Sequence, residues 1–324
     1  MKPWQALSAP LATARAMRRA GVLGMNERNH EYTMRCNPRH FYPRADDKLE
    51  TKRLCHAAGI PTARVLGVAR FQAQARLLLD NLDECSTFVL KPARGAMGNG
   101  ILVVHERRDQ YYLLAGGSVV GRDRLAHHMS SILSGMFSLG GKPDVAFAEE
   151  RLVVHPALAR IVTDGVPDIR FVIFQGVPLM AMTRLPTRRS GGRANLHHGA
   201  VGAGVDLRSG RTVHAVLSGA VVERHPDSGE PLLGIPIPDF ERALEIAVQA
   251  TTATQLGYVG ADVVVDAQHG ALILELNARP GLAIQVANQT GLSPRLAQVA
   301  AQGDTMSWPL ADRIKLGREL AGVS

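Results

Sequence analysis

The chain has 324 residues, of which 46% are hydrophobic and 20% are charged, and its formal net charge is +8. This composition is that of a globular protein and excludes a chain that is disordered throughout, and the length suggests about two domains. The three cysteines are far apart and lack zinc or CxxC spacing, so we expect a reduced, cytoplasmic setting. No apolar run is long enough for a transmembrane segment.

The positive charge indicates anionic partners but does not choose among polyanions, acidic substrates and anionic membrane surfaces. Because the basic residues are dispersed and no nucleic-acid motif accompanies them, we expect no nucleic-acid partner. Near the N-terminus, Leu7, Leu11 and Ala14 recur at helical spacing beside Arg15 and Arg18. Such a basic amphipathic helix either packs on its own domain, the interpretation we favour, or lies on a membrane or a partner.

From residue 47 onward the sequence predicts helices alternating with pairs of strands. Asp47 can cap a helix with Glu50 three residues on, and Gly59 and Pro61 end that helix. Strand pairs with intervening helices predict an α+β fold with mostly antiparallel sheet. The further predicted elements are strands 87–91 and 101–104, a helix over 125–137, a strand over 145–154, a hairpin of 168–174 with 177–184, a helix over 240–256, and a final hairpin of 263–265 with 272–276.

A glycine-rich loop, residues 94–100, joins the first predicted pair of strands. Its three glycines let backbone amides approach an anion closely. The loop lacks the Gly-Lys-Ser/Thr of a Walker loop and does not open a helix, so it is weak as a motif alone. Lys91 ends the preceding apolar strand, and a partly buried lysine needs an anionic partner. The pair predicts a phosphate site.

Charged side chains also interrupt later strands. Glu149 and Glu150 can accept from an adenine amino group or ribose hydroxyls, and the alternative is an exposed strand edge. Asp168 and Arg170 share one face of their strand, and Arg184 ends the next strand. Converging arginines suit carboxylate and phosphate oxygens, whereas the alternative is an Asp–Arg pair on the surface. The adjacent His197 and His198 favour one hydrogen-bonding histidine over a metal ligand pair.

The final predicted hairpin carries three oxygen-bearing side chains. If Asp266 and Ala271 close its loop, Asp262 lies directly opposite Glu275, and Asn277 shares that face. Facing carboxylates repel each other, which indicates a cation between them. Hard oxygen ligands of this kind are those that Mg²⁺ prefers. The alternative is an ordinary hairpin with exposed acids.

Taken in chain order, these motifs resemble the ATP-grasp ligases, and within them the RimK-type alpha-L-glutamate ligases. The segments that carry the resemblance are Asp168-Ile169-Arg170, Asn195-Leu196-His197 and Glu275-Leu276-Asn277 followed by Pro280-Gly281. The resemblance extends over roughly residues 25 to 300. It implies two α+β subdomains whose antiparallel sheets clasp ATP, with a reduced N-terminal region. The implied division is 1–45 (N-terminal segment), 46–150 (small subdomain), 151–300 (catalytic subdomain) and 301–324 (helical tail).

The resemblance implies ATP-dependent joining of a carboxylate to an amine such as glutamate, through an acyl phosphate. The alternatives are phosphate transfer to a hydroxyl and nucleotide binding without turnover. The metal would be Mg²⁺, or Mn²⁺ in its place, held by Asp262, Glu275 and Asn277. Arg184 and Arg279 would be catalytic, and with Asn195 and His197 would bind substrate. The implied ATP site comprises Lys48, Lys91, Arg94, Gly95, Gly98, Asn99, Gly100, Glu149, Glu150, Leu152, Asp168 and Arg170.

Two features depart from the RimK-type pattern. Only 47 residues precede Lys48, so we expect an acceptor site built from fewer elements, or completed by a partner protein or a second copy of the chain. Arg279 replaces the small residue common in RimK-type sequences. Both departures weaken the assignment of glutamate and leave the assignment of ATP and magnesium unchanged.

Overall fold

The protein is described here by a computed structural model that covers residues 15–95, 98–138 and 140–322. Thirteen strands within these ranges form two sheets of six and seven strands, and every pair of neighbouring strands is antiparallel. Helices pack on both sheets, so the α+β class is confirmed. None of the helices in the same ranges has both the length and the apolar character needed to cross a membrane.

The six-stranded sheet has the order β1-β6-β2-β3-β4-β5. Its buried side packs on the helices Gln72–Asn81 and Arg122–Leu133. Its strands are β1 (Val65–Ala69), β2 (Phe88–Pro92), β3 (Leu102–Arg108), β4 (Tyr111–Leu114), β5 (Val119–Gly121) and β6 (Ala146–Glu149).

The seven-stranded sheet has the order β11-β10-β9-β8-β7-β12-β13. A core of small and branched side chains packs it against the helix Phe240–Thr254. Its strands are β7 (Asp168–Phe174), β8 (Val177–Leu185), β9 (Val201–Val205), β10 (Thr212–Leu217), β11 (Ala220–Val221), β12 (Tyr258–Asp266) and β13 (Gly270–Asn277). The remaining α-helices are Met25–Glu27, Pro43–Asp46, Lys48–Ala57, Pro156–Ala159, Ala283–Asn288, Ser293–Ala300 and Leu310–Ala321.

Most of the predicted elements are present, with shifted ends. The helix predicted to run to residue 137 ends at Leu133, because the chain turns at Gly135 with φ +85°. The strand predicted over 145–154 ends at Glu149. The helix predicted to reach residue 256 ends at Thr254, since Gln255 takes a left-handed conformation. All three predicted strand pairs, β2–β3, β7–β8 and β12–β13, are present.

The basic helix predicted near the N-terminus is described only in part. Leu7, Leu11 and Ala14 lie outside the described residues. Residues 15–19 are helical, and all of residues 15–20 are exposed. The apolar face predicted to pack lies outside the described residues, so the favoured interpretation stays a prediction.

The helix Lys48–Ala57 links the two sheets, and Asp47 caps its N-terminus. Asp47 accepts hydrogen bonds from the backbone of Leu49 at 3.0 Å and Glu50 at 3.2 Å, as predicted. The Glu50 side chain pairs with Arg53 instead of completing a capping box. The helix packs on β13 and on the helix Phe240–Thr254.

We expect Asp47→Ala to lower the free energy of unfolding by about 1 kcal/mol, because two backbone amides lose their acceptor. Urea unfolding followed by circular dichroism measures the change. Asp47→Asn keeps an acceptor oxygen and is the matched control, with most of the stability retained. Equal losses in both variants would show that the carboxylate charge, which pairs with Arg94 at 3.0 Å, matters more than the cap.

Candidate active site

The central strands of the seven-stranded sheet gather four charged side chains on one face. Asp168 at the start of β7 lies directly opposite Arg184 near the end of β8. On the other side of β7, Arg170 lies opposite Asp262 of β12. Asp168 and Arg170 are two residues apart, so they share a face. The strand pairing alone therefore brings two carboxylates and two guanidinium groups together.

These four side chains form a buried cluster, which we call the Asp–Arg cluster. Arg170 donates from Nε to Asp262 Oδ1 at 2.6 Å. Arg184 donates from Nε to Asp168 Oδ1 at 2.6 Å and from an Nη atom to Asp262 Oδ2 at 2.7 Å. Asp262 is fully buried, and Asp168 and Arg184 are nearly so. Two negative charges therefore face two positive charges away from water, which excludes the predicted alternative of a surface pair.

Burial and charge act in opposite directions on the two acids. Burial raises the pKa of Asp168 to about 6, although Arg184 opposes the shift. Burial also acts to raise the pKa of Asp262, but Arg170 and Arg184 outweigh it and hold that pKa below its usual range. Asp262 is therefore the acid that the arginines hold as a carboxylate.

The final hairpin places the predicted metal ligands beside this cluster. Asp262 lies opposite Glu275, as predicted, although Asp266 pairs with Gly270 rather than with Ala271. A β-bulge between Asp262 and Val263 shifts the register by one residue and restores the predicted pair. Asn277 donates to Asp262 Oδ2 at 3.4 Å, so the three side chains converge.

This set of oxygen donors fits a hard cation. A carboxylate has about four lone-pair positions, and Asp262 accepts four hydrogen bonds, two from Arg170 and one each from Arg184 and Asn277, so a cation at Asp262 would replace at least one of these donors. Glu275 is only partly buried, so its carboxylate is the more accessible ligand. Nowhere in the described ranges are three His, Cys, Asp or Glu side chains placed to hold a metal ion, and this set has two carboxylates and an amide. The residues that would hold Mg²⁺ are therefore Glu275 and Asp262, with the amide oxygen of Asn277.

The six-stranded sheet contributes a buried group of one carboxylate and two lysines. Lys91 of β2 pairs with Phe147 of β6, so Lys91 shares a face with Glu149. One Glu149 oxygen contacts Lys91 Nζ, and the other lies 3.0 Å from Lys52 Nζ. The sequence prediction missed Lys52, although it lies four residues after Lys48 on the same helix face, and that spacing was the available signal.

The group of Lys52, Lys91 and Glu149 carries one positive charge in excess. Burial acts to raise the pKa of Glu149, but the two lysines outweigh it and lower that pKa. Burial lowers the pKa of Lys52, with Glu149 opposing the shift. Both Glu149 oxygens already contact lysines, so the role predicted for Glu149 at an adenine or ribose has to compete with these contacts. An anion beside the two lysines would balance the excess charge.

Lys48 connects the two sheets. Its Nζ donates to the carbonyl of Gly95 at 2.7 Å and lies 3.6 Å from Glu275 Oε2. Gly95 belongs to the glycine-rich loop of the six-stranded sheet, whereas Glu275 belongs to the final hairpin of the seven-stranded sheet. One lysine thus links the predicted phosphate loop to the predicted metal ligands.

The glycine-rich loop is held at its base and lies near the other sheet at its tip. The backbone amide of Arg94 donates to the Asp144 carboxylate at 3.0 Å. Gly98 and Gly100 have φ values of +75° and +76°, which a non-glycine residue rarely adopts. A Cβ at Gly98 would lie 3.4 Å from the Arg193 side chain in the β8–β9 connection. Ala96 and Met97 of this loop lie outside the described residues.

Two other residues predicted at the nucleotide, Glu150 and Leu152, lie in the segment that follows β6. The Glu150 carboxylate accepts from the Arg64 backbone amide at 2.7 Å. Leu152 is buried in a small apolar cluster with Ala63, Val264 and Leu272. The structure thus gives Glu150 a partner within the protein, and contact of Glu150 and Leu152 with a nucleotide stays a prediction.

Of the four predicted substrate residues, Arg184 belongs to the Asp–Arg cluster, and the other three have different contacts. Arg279 donates to Asp46 at 3.1 Å and lies over the Tyr42 ring, and its side chain is 49% exposed. Asn195 caps the short turn Leu196–His198, where His197 is exposed. Within the described residues, no hydrogen bond or ion pair joins Arg279, Asn195 or His197 to the Asp–Arg cluster.

Together, the two sheets present complementary chemistry. The six-stranded sheet and the helix beside it carry the lysines and the backbone amides of the glycine-rich loop. The seven-stranded sheet carries the carboxylates, with Asp262 bonded to two arginines. An anion that carries several phosphates, together with a divalent cation, would satisfy both sides. The residues that build the arrangement extend from Lys48 to Asn277.

Comparisons with solved structures show several similar chains. The ATP-grasp ligase PsnB complexed with minimal precursor has 15% identity and a TM-score of 0.45, over 82% of this chain and 64% of that one. D-cycloserine synthetase DcsG has 16% identity and a TM-score of 0.46, over 82% and 73%. D-alanine–D-alanine ligase from Bacillus anthracis has 15% identity and a TM-score of 0.40, over 86% and 67%. The chain thus spans less than two thirds of the length of PsnB.

Comparison with curated proteins gives no match. Comparison with protein families matches residues 27–301 to the family described as sugar-transfer associated ATP-grasp. The matched region includes both sheets, the lysine group, the glycine-rich loop and the final hairpin. Because the match extends over most of the sequence and through all of these features, the chain belongs to the ATP-grasp superfamily and, within it, to the sugar-transfer associated family.

Proposed function

We propose that the protein is an ATP-dependent ligase that joins a carboxylate to an amine through an acyl phosphate. The observation that carries the proposal is the position of Lys48, which contacts the glycine-rich loop at Gly95 and lies 3.6 Å from Glu275. The residues proposed to bind phosphate and those proposed to bind the metal are thereby joined through one side chain. Membership of the ATP-grasp superfamily supports ATP as the phosphate donor.

In this proposal the lysines hold the phosphates. Lys48 and Lys91 contact phosphate oxygens, and Lys52 holds Glu149 so that Lys91 is kept in place. The loop amides of residues 94–100 provide further donors. Mg²⁺, or Mn²⁺ in its place, supplies positive charge to the phosphate oxygens when bound by Asp262, Glu275 and Asn277.

The reaction has two steps. A substrate carboxylate oxygen attacks the γ-phosphorus, the bond to the β–γ bridging oxygen breaks, and ADP leaves with the electron pair. The amine nitrogen then attacks the acyl carbon, the bond between carbon and the phosphate oxygen breaks, the nitrogen loses a proton, and phosphate leaves. Lysines near the cleft stabilise the negative charge that moves during the first step.

The two candidate catalytic arginines differ in access. Arg184 is buried and bonded to two carboxylates, so it acts on the reacting groups only through Asp262 or after exchanging a partner. Arg279 is half exposed and has a single carboxylate partner, Asp46. We therefore propose Arg279 as the residue that contacts the substrate carboxylate, and Arg184 as the residue that positions Asp262.

The substrates follow from the resemblance noted in the sequence. The RimK-type motifs favour an amino acid such as glutamate as the amine. The family description associates these proteins with sugar transfer, which adds sugar acids to the candidate carboxylates. We also propose the subdomain boundaries given above, and that a partner or second copy completes the acceptor site.

A screen for phosphate release tests the function. The purified protein is given ATP, Mg²⁺, and pairs drawn from a panel of carboxylates (amino acids, peptides, sugar acids) and amines. A ligase releases phosphate only when both are present, and mass spectrometry detects the amide. A phosphorylated alcohol would instead indicate phosphate transfer to a hydroxyl, and nucleotide binding without release across the panel would indicate a protein without turnover.

Lys91→Ala is expected to weaken ATP binding by roughly 30-fold to 100-fold, since a hydrogen bond to a charged group contributes about 2–3 kcal/mol. Lys52→Met is expected to weaken it less, because Lys52 acts through Glu149. Isothermal titration with a non-hydrolysable ATP analogue measures both. An unchanged affinity in Lys91→Ala would remove the lysine group from the nucleotide site.

A further inference from the structure

The helical residues 15–19 precede a segment, residues 21–23, that is hydrogen-bonded to the rest of the protein. Gly21 to Leu23 is anchored: the Leu23 amide donates to Gln285 Oε1 at 2.8 Å, and the Ser293 amide donates to the Gly21 carbonyl at 3.0 Å. Leu23 is 1% exposed. Immediately before this anchor, all of residues 15–20 are exposed. A helical turn is thus presented to solvent from a buried attachment.

This exposed turn carries uncompensated positive charge. Arg15, Arg18 and Arg19 have no ion pair within the described ranges, and the residues outside those ranges contain no Asp or Glu. The nearest acids along the chain are Glu27 and Glu31, and Glu31 is engaged by Arg35 at 2.6 Å. The three arginines therefore present an unpaired basic surface.

One exposed apolar side chain lies among these arginines in the sequence, and a second follows the anchor. Met17, within the basic turn, is 53% exposed, and Met25, just after the anchor, is 65% exposed. A surface that only steers soluble anions has no use for exposed methionines, whereas a helix at a lipid interface combines basic residues with apolar ones. The sequence before the turn adds Lys2 and Trp4 and no acid.

We propose that Arg15, Met17, Arg18 and Arg19, which we call the basic patch, dock the protein on an anionic lipid bilayer. The arginines face the anionic headgroups, and Met17 enters the boundary between headgroups and acyl chains. This docking is reversible, and the affinity for the bilayer falls as the salt concentration rises, because exposed charges are screened. It is independent of the proposed ligase reaction.

Vesicle flotation with the full chain tests the proposal. Phosphatidylcholine vesicles are compared with vesicles in which about one third of the lipid is phosphatidylserine. We expect binding to the anionic vesicles only, with release at about 1 M salt, where the screening length is about 3 Å. Replacing Arg15, Arg18 and Arg19 together by Glu is expected to weaken binding at least tenfold.

The matched control replaces Arg70, Arg76 and Arg124 by Glu. These exposed residues lie around the six-stranded sheet, and the change in net charge equals that of the first triple variant. The control is expected to bind as the unaltered protein does, and urea unfolding checks that both variants fold. Met17→Ser should weaken binding while leaving all charges in place. Equal losses in the two triple variants, or binding to neutral vesicles alike, would overturn the proposal. So would displacement from vesicles by duplex RNA that binds at the basic patch, since the partner would then be a nucleic acid.

Discussion

Glu275→Gln is expected to lower turnover by about a thousandfold or more, because a metal ligand in such a site contributes several kcal/mol to stabilising charge in the transition state. The substitution keeps the shape of the side chain and removes its charge. Glu275 lies opposite Asp262 and 3.6 Å from Lys48, so the loss affects both the metal set and the lysine. Steady-state phosphate release with the substrate pair from the screen measures the effect.

The fold should be preserved in this variant. Glu275 is only partly buried and its pair with Lys48 is long, so its removal is expected to change the unfolding free energy by less than about 1 kcal/mol. Glu106→Gln is the matched control, since Glu106 pairs with Arg108 on an exposed part of β3, and it should keep full activity. Mn²⁺ binding followed by electron paramagnetic resonance, with a non-hydrolysable ATP analogue, gives a readout apart from turnover. Normal turnover or unchanged Mn²⁺ affinity would refute the metal assignment.

The sequence was informative where local periodicity decides the structure. Alternation along the strands placed Asp168 and Arg170 on one face, and the antiparallel pairing of Asp262 with Glu275 was predicted correctly. The prediction paired Asp266 with Ala271 at the turn of the final hairpin, whereas Asp266 pairs with Gly270. A β-bulge adds one residue to a strand, and nothing in the composition of the strand signals it. The pair was right because the bulge compensates for the one-residue error at the turn.

Long-range partners were harder to predict from the sequence. The spacing of four residues from Lys48 indicates the helix face of Lys52 but not its partner, because Glu149 lies 97 residues away along the chain. Arg279 was expected among the catalytic groups, but its contacts with Asp46 and Tyr42 depend on how the N-terminal segment packs. Burial of the Asp–Arg cluster likewise depends on both sheets, so a surface pair could not be excluded from strand patterns.

Arg184→Met is expected to lower the free energy of unfolding by about 3–5 kcal/mol, the usual cost of leaving a buried charge without its partner. Asp168 is 3% exposed, and both its carboxylate oxygens accept from Arg184. Asp262 would keep Arg170, so most of the loss arises at Asp168. Urea unfolding at neutral pH measures the change.

A double-mutant cycle separates the missing charge from the lost packing. Asp168→Leu in the Arg184→Met background removes the stranded carboxylate, so the double variant is expected to be more stable than Arg184→Met alone, by about 1–3 kcal/mol. Asp168→Leu by itself leaves Arg184 bonded to Asp262 at 2.7 Å and should cost less than Arg184→Met. If the two single losses simply add in the double variant, the pair does not interact, and the stability of this region comes from the packing of β7, β8 and β12 rather than from the Asp–Arg cluster.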